Sequence, residues 1–133
     1  MNNLVVSGKR KTAVAKATIK EGTGKVTINR IPLENYTELQ QLELKEPLLI
    51  AVQILGQPNY DIFVNVKGSG MASRIEASRL AIARAIVAFT KSQDLKHTLV
   101  AYDRSMLVAD TRRKEPYKPG DSRARGKRQK SYR

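Results

Sequence analysis

The stretch TAVAKATIK, from Thr12 to Lys20, alternates between apolar and mainly polar positions. Four apolar side chains fall on one face of an extended chain: Ala13, Ala15, Ala17 and Ile19. The opposite face carries Val14, Lys16, Thr18 and Lys20. A period of two residues with one apolar face is typical of a strand that is buried on one side. We therefore predict a strand here, and a fold built around a sheet.

Two further stretches extend this β pattern. EGTG, residues 21–24, contains two glycines and predicts a turn, and KVTINRI, residues 25–31, alternates again. The two alternating stretches are therefore predicted to pair as an antiparallel hairpin. YDIFVNVKG, residues 60–68, places Ile62, Val64 and Val66 on one face and predicts another strand.

Helical patterns occupy much of the remaining chain. ENYTELQQLELKEPLLIAVQIL, residues 34–55, is rich in helix formers, and Pro47 predicts a division into two helices because proline suits a first helical turn. From Met71 to Thr90, one narrow stripe predicts a helix with a core face of Met71, Ile75, Ile82, Ile86 and Phe89. A short helix is predicted around residues 93–101. The fold class is α+β, with a small mixed or antiparallel sheet backed by helices.

Charge divides the 133-residue chain into two parts. The whole chain carries 25 Lys and Arg against 12 Asp and Glu, a net charge of +13, which makes polyanions the expected partners. Residues 112–133 contain ten basic and two acidic side chains, and no Leu, Ile, Val, Met or Phe occurs beyond Asp110. We predict a globular body over residues 1–109 and a long, extended basic tail over residues 110–133 that is disordered when free.

The chain offers little material for catalysis or metal binding. It has no cysteine and one histidine, His97, so disulfides, thiolate metal sites and sites with several histidines are excluded. Asp103 and Asp110 are interpreted as turn or capping residues. No catalytic residue, metal site or cofactor is predicted, and the chain is not expected to be an enzyme. Without a signal-peptide pattern or a membrane-length apolar stretch, we expect a cytoplasmic protein.

Two short motifs resemble phosphate-binding loops. SGKRKT, residues 7–12, lacks the Ser or Thr that a Walker motif requires directly after its lysine, because Arg10 stands there. Lys9, Arg10 and Lys11 remain candidates for holding phosphates as simple charges, with a solvated loop as the alternative. KGSGMAS, residues 67–73, leads from a strand into a helix, where backbone N–H groups can receive an anion. Tight turning between the two elements explains Gly68 and Gly70 equally well.

Basic residues of the longest helix and of the tail are the remaining candidates. Arg84 and Lys91 project away from the apolar stripe and Arg74 flanks it, among small residues where a flat surface could approach the backbone closely: Ala77, Ala81, Ala85 and Ala88. A solvated charged face is the alternative. The tail is rich in arginine, whose planar fork suits phosphates and bases. It is predicted to penetrate RNA; a solubilising tail or a membrane-surface binder are alternatives, although the tail lacks an apolar face for insertion.

Several motifs, in their order and spacing, resemble one family nearly from end to end. They are GKRKTAVAKATI, GTGKVTIN, EPLLIA, VKGSG with SRLAIARAI, DTRRKEPYKPG and KSYR. The chain closely resembles the ninth protein family of the small ribosomal subunit. Its RRKEP and QKSYR resemble the archaeal and eukaryotic branch rather than the bacterial one.

The resemblance implies an α+β body like the second domain of ribosomal protein five, located in the head of the small subunit. It implies small-subunit rRNA and neighbouring head proteins as partners, with no membrane and no DNA. The resemblance implies that the tail lines an rRNA passage with Arg112, Arg113, Lys114, Arg123, Arg125, Lys127 and Arg128. Together with Lys118 and the body candidates Lys9, Arg10, Lys11, Arg74 and Arg84, these are the predicted rRNA-binding residues. In this family the tail also reaches the peptidyl-site tRNA, which makes Lys130, Ser131, Tyr132 and Arg133 tRNA-proximal. Arg128 stands where many members have an aromatic residue, and its guanidinium is able to stack in place of the ring. A nucleotide-binding enzyme of the same fold type, using Gly68 to Gly70, is the alternative function.

Overall fold

A five-stranded sheet with three helices forms the body of the protein. The computed structural model describes residues 3–120, 123–127 and 130–132. The strands are β1 (Leu4–Arg10), β2 (Ala13–Glu21), β3 (Val26–Ile28), β4 (Ile31–Pro32) and β5 (Tyr60–Lys67), in the spatial order β1-β2-β5-β3-β4. The helices are α1 (Glu38–Leu55), α2 (Met71–Thr90) and α3 (Gln93–Tyr102), with single 3-10 turns at Leu33–Asn35 and Arg104–Met106. The predicted α+β class is confirmed.

The core lies between one face of the sheet and the helices. The four predicted inward residues of β2 are completely buried, and they are joined from β5 by Tyr60, Ile62, Val64 and Val66. Helix α2 packs on β1, β2 and β5, and α1 packs on α2 and α3. Because every helix lies on this side, the outward face of the sheet has no covering layer within the described part of the chain.

The predicted hairpin between residues 12–20 and 25–31 is wrong. β5 lies between the two strands, antiparallel to β2 and parallel to β3. The connection between β2 and β3 crosses the end of β5. The Asp61 carboxylate fixes this connection by accepting hydrogen bonds from the backbone N–H groups of Thr23, Gly24 and Lys25 at 2.9, 3.0 and 2.9 Å. Two strand spacings amount to roughly 10 Å, which four connecting residues can span. The alternating pattern identified the strands but not their neighbours.

The predicted division of residues 34–55 into two helices is also wrong. Pro47 lies inside one 18-residue helix, α1. Proline removes one backbone hydrogen bond of the helix. However, Leu44, Pro47 and Ala51 are all buried on the side of α1 that faces the other helices. Packing of this face stabilises the helix more than one lost hydrogen bond destabilises it.

Helix α2 has the predicted bounds, but its faces differ in part from the prediction. Ile75, Ile82 and Ile86 are buried as expected, whereas Met71, in the first turn, is 53% exposed. The small residues Ala77, Ala81 and Ala85 are completely buried and unavailable to a nucleic acid. These alanines let strand β1 pack closely against α2. A Cβ on Gly8 would lie 2.5 Å from the Ala77 carbonyl oxygen and 2.7 Å from the Ala81 nitrogen. Ala88 is exposed, so the predicted surface of small residues is wrong for three of its four members.

The tail lies in no helix or strand over its described residues. Residues 111–120 are all exposed. The tail is not extended throughout, because Arg125 Nε lies 3.0 Å from the Glu115 Oε2 atom ten residues earlier. Across the described residues, no helix has the length and apolar character to cross a membrane.

Candidate nucleic-acid interface

The three consecutive cations after Gly8 have three different environments. Strand β1 runs as far as Arg10, so alternation sends Lys9 and Arg10 to opposite sides. Lys9 is exposed, whereas the Arg10 side chain is 15% exposed and pairs with Glu76 and Asp110. Lys11 follows in a turn with φ of +50° and is exposed. The solvated-loop alternative is thus wrong for Lys9 and Arg10, which belong to a strand that sequence reasoning missed.

The first residues of the tail are bound to this strand. Arg10 NH1 lies 2.6 Å from Asp110 Oδ2, and Arg112 donates from Nε and NH2 to the same carboxylate at 2.9 and 2.7 Å. The backbone N–H of Arg112 donates to Asp110 Oδ1 at 2.9 Å, so Asp110 is a turn residue as predicted. The hydrogen bonds from Arg112, together with the charge of Arg10, hold the pKa of Asp110 far below its usual value. The carboxylate therefore stays charged and fixes the root of the tail.

This arrangement brings two predicted groups of cations together. Lys11 and the tail residues Arg112, Arg113 and Lys114 line one pocket with Arg10, Thr12 and Ser69. We call Lys11, Arg112, Arg113 and Lys114 the junction cluster. None of the described residues that line this pocket is acidic. Apart from Arg112, whose guanidinium binds Asp110, the cluster presents its charge to solvent and is suited to a polyanion.

The two predicted arginines of α2 are both bonded to the protein's own backbone. Arg84 donates from Nε to the Leu107 carbonyl at 2.8 Å and from NH1 to the Ser7 carbonyl at 3.0 Å. It therefore ties the chain that precedes the tail to strand β1. Arg74 donates from Nε to the Gly68 carbonyl at 3.0 Å, in the turn between β5 and α2. Lys91 is exposed at the C-terminal cap of α2.

The remaining tail cations that the structure describes are exposed: Lys118, Arg123, Arg125, Lys127 and Lys130. Lys114 Nζ lies 4.8 Å from the centroid of the Tyr117 ring. Ser131 is exposed, and Tyr132 is 86% exposed, a high value for an aromatic side chain. Arg128 and Arg133 lie outside the described residues.

Sequence reasoning missed a second group of cations, on the outward face of the sheet. Lys16, Arg30 and Lys67 line a pocket there together with Arg74 and Phe63. The alternation of β2 placed Lys16 on the polar face, so a signal for this residue was present in the sequence. The contribution of Arg30 could not be anticipated, since it depends on β3 lying beside β5.

Metal-ligating side chains are not clustered in the described part of the chain. No group of three or more His, Asp or Glu side chains able to hold a metal occurs among the described residues. His97 is exposed on α3. Asp103 caps the turn at Arg104–Met106 and accepts bonds from Arg79 at 3.2 Å. Burial opposes ionisation of Asp103, but the bonds from Ser105 and Arg79 outweigh it and lower its pKa. Its capping role is confirmed.

Comparison with known proteins identifies the family of the chain. The family described as Ribosomal protein S9/S16 matches residues 8–133. The chain belongs to this family. A protein of Methanococcus maripaludis named small ribosomal subunit protein uS9 is 48% identical over 129 residues, 95% of each chain. A protein of the same name from Methanococcus vannielii is 46% identical over 129 residues, again 95% of each chain.

Membership of the ribosomal protein S9/S16 family confirms the predicted family, and the archaeal relatives agree with the predicted branch. The chain is a ribosomal protein and thus part of the cytoplasmic ribosome. Members of this family are structural constituents rather than enzymes, which confirms the prediction that the chain is not an enzyme.

Proposed function

We propose that this protein is held in the head of the small ribosomal subunit by two rRNA contacts, one through its body and one through its tail. The small-subunit role follows from the family, and small-subunit rRNA and neighbouring ribosomal proteins are its partners. One observation carries the proposed division of contacts. The junction cluster joins an exposed cation of the body to the first cations of a tail that has no helix or strand among its described residues.

In this proposal the tail works by neutralising phosphates. Residues 112–133 carry ten basic side chains and two acidic ones, so the basic side chains repel one another, and nearby rRNA phosphates would relieve that repulsion. Arginine adds bidentate contacts to phosphate oxygens. The proposed tail contacts are Arg112, Arg113, Lys114, Lys118, Arg123, Arg125, Lys127 and Arg128. Placement would come from the shape of the rRNA, so no base needs to be read.

The body cations take two roles in this proposal. Lys9 and Lys11 are exposed and contact phosphates directly. Arg10 and Arg84 act mainly by fixing β1 and the chain near the tail root, because their donors already bind carboxylates or carbonyls. Arg74 keeps one donor on Gly68 and presents the rest of its guanidinium to the outward face.

The end of the tail is proposed to contact the tRNA in the peptidyl site. Lys130 and Arg133 would make charge-assisted contacts to the tRNA backbone, flanking Ser131 and Tyr132. What supports this is the KSYR motif, which lies within the family match, and the exposure of residues 130–132.

The rRNA proposal is tested with two double variants of equal charge change. Arg113→Gln with Lys118→Gln removes two exposed tail cations, and Lys96→Gln with Arg104→Gln removes two exposed cations of the body. Affinity for small-subunit rRNA is measured by fluorescence anisotropy across a salt series. The tail variant should lower the salt slope by about 1.4–1.8, since each phosphate contact contributes about 0.7–0.9. Equal slopes for both variants would contradict the proposal.

The tRNA proposal has its own experiment. Small subunits carrying Arg133→Ala should bind peptidyl-site tRNA more weakly than subunits carrying Lys96→Ala, and the difference should shrink as salt increases. Equal tRNA affinity at every salt concentration would leave the rRNA role standing and exclude the tRNA contact.

A further inference from the structure

The outward face of the sheet forms a surface that neither the family match nor the tail explains. Its central row runs across four strands, through Val5, Thr18, Phe63 and Thr27, which are neighbours in the sheet register. The next row contains Lys16 beside Asn65. We call the pocket on this side, which Phe63 also lines, the open sheet face.

The charge on the open sheet face has a single sign. Its lining includes four cations, Lys16, Arg30, Lys67 and Arg74, and none of its described lining residues is acidic. The carboxylate of Asp61 on the same strand is directed to the 23–25 turn, whose N–H groups it accepts. Four cations without a carboxylate form a surface complementary to a polyanion.

Phe63 gives this surface an aromatic centre. Its ring is 39% exposed between two threonines, which leave room around it because their side chains are short. Lys20 Nζ lies over the ring, 4.9 Å from its centroid, so a base that stacks on this face has to displace the exposed Lys20 side chain. An exposed aromatic side chain in the middle of a basic sheet is the arrangement on which single-stranded bases stack.

A rigid turn brings Arg30 to this surface. Asn29 and Arg30 both have positive φ, of 51° and 67°, and form a two-residue turn of the type I′ class between β3 and β4. Asn29 fixes the turn by donating from Nδ2 to the Val66 carbonyl at 3.1 Å and by accepting the Val66 N–H at 2.9 Å. Arg30 is thus held at the edge of the pocket near Lys67.

We propose that the open sheet face binds an unpaired segment of RNA, with one base stacked on Phe63 and the flanking phosphates contacting Lys16, Arg30, Lys67 and Arg74. This inference rests on the proposed RNA-binding function and adds a second type of RNA ligand to it. Paired RNA fits less well, because its bases are already stacked on one another and expose no face to the ring. A protein partner fits less well because lysines are depleted at the centres of protein interfaces.

A tryptophan reporter tests the stacking directly. The chain contains no tryptophan, so Phe63→Trp introduces a single indole on the open sheet face, and Leu42→Trp introduces one on the exposed side of α1 as a matched control. Each full-length variant is titrated with a 12-nucleotide oligoadenylate and with a 12-base-pair RNA duplex. Stacking should quench the fluorescence of Phe63→Trp with oligoadenylate and leave Leu42→Trp unchanged. Duplex should bind through the tail without quenching either variant.

Two further variants measure the contribution to affinity. Phe63→Leu keeps an apolar side chain on β5 and should weaken oligoadenylate binding about 5-fold or more. Leu42→Ala should leave that affinity unchanged.

The outcomes separate this inference from the proposed function. Oligoadenylate binding without quenching of Phe63→Trp would overturn the stacking site and leave tail binding intact. Equal quenching of both reporters would also overturn it. If neither RNA binds the unsubstituted protein at low salt, the proposed function itself fails. Loss of neighbouring-protein binding in Phe63→Leu, with RNA affinity unchanged, would assign the face to a protein.

Discussion

Arginines of the body and arginines of the tail have different partners. In the body, Arg79 pairs with Glu46 and Asp103, and Arg84 binds two carbonyls, so each joins separate elements of the fold. In the tail, Arg125 makes one exposed pair with Glu115, of the kind that contributes little to stability. An arginine on a strand or helix that directs it toward the fold stabilises the fold. An arginine in the exposed tail remains available to bind a partner.

The largest expected difference between the two regions is in stability. Ile82→Ala removes a completely buried side chain of α2 and should lower the free energy of unfolding by about 2–5 kcal/mol. Arg113→Ala in the tail should change it by less than about 0.5 kcal/mol. Urea denaturation of both variants measures the contrast. A comparable loss in Arg113→Ala would mean that the tail belongs to the cooperative fold.

A second contrast tests the close approach of β1 to α2. Gly8→Ala places a Cβ against the backbone of Ala77 and Ala81 and should destabilise the protein by about 1–3 kcal/mol. Gly70→Ala is the control, because nothing lies within 4 Å of its added Cβ and its φ is negative, so its expected cost is only about 0.5–1 kcal/mol, from a poorer N-cap for α2. Thermal denaturation should show the lower midpoint for Gly8→Ala. Equal midpoints would show that β1 can move away at no cost.

A third contrast concerns cations alone. Arg84→Gln removes two hydrogen bonds that tie Ser7 and Leu107 to α2 and should cost about 0.5–1.5 kcal/mol per bond. Lys91→Gln removes an exposed cation at the C-cap of the same helix and should cost only about 0.3–1 kcal/mol, from the lost interaction with the helix dipole. Denaturation midpoints compare the two. If Arg84→Gln were neutral for stability but weakened rRNA binding, Arg84 would belong with the tail arginines.

How much of this could be read from the sequence depends on the range of the interaction. Strand β2 and helix α2 could be predicted from local periodicity. The apolar residues between Ala13 and Ile19, and between Ile75 and Ile86, mark the buried face of each element without information from the rest of the chain. The neighbour of β2 could not be read, because the position of β5 is fixed by contacts such as Asp61 with residues 23–25, which are distant in sequence. Pro47 misled for the same reason, since its burial depends on other helices.

The candidate interface shows the same limit. The basic tail could be recognised from composition, because composition does not depend on contacts with distant parts of the chain. The roles of Arg10 and Arg84 could not be recognised from the sequence. Arg10 binds Glu76, 66 residues away, and Arg84 binds the Ser7 carbonyl, 77 residues away. The open sheet face could be predicted only in part. Lys16 and Phe63 lie on outward positions of predicted strands, but that they lie close together depends on the true strand order.

The smallest contrast is the response to acid. Backbone hydrogen bonds from Lys25, Thr23 and Gly24 lower the pKa of Asp61 below its usual 3.8, although burial opposes them. A lowered folded-state pKa means that this carboxylate stabilises the protein above pH 3.8 and loses that effect as the pH falls through the folded value. Asp61→Asn should therefore be less stable than the unsubstituted protein at pH 7, with the difference shrinking below pH 3.8. Glu115→Gln in the tail should track the unsubstituted protein throughout. A constant difference across pH would exclude the charge of Asp61 as the cause.

The pairing of Arg10 with Asp110 has a kinetic consequence for assembly. A tail whose first residues are fixed to β1 cannot swing freely about the body, and its nearest cations stay beside Lys11. If the body and the tail each contact rRNA as proposed, docking of the body makes the tail contact an intramolecular event, at an effective concentration set by the tether rather than by the solution. Residence time on the particle should then exceed what either contact gives alone, because one contact can re-form while the other holds.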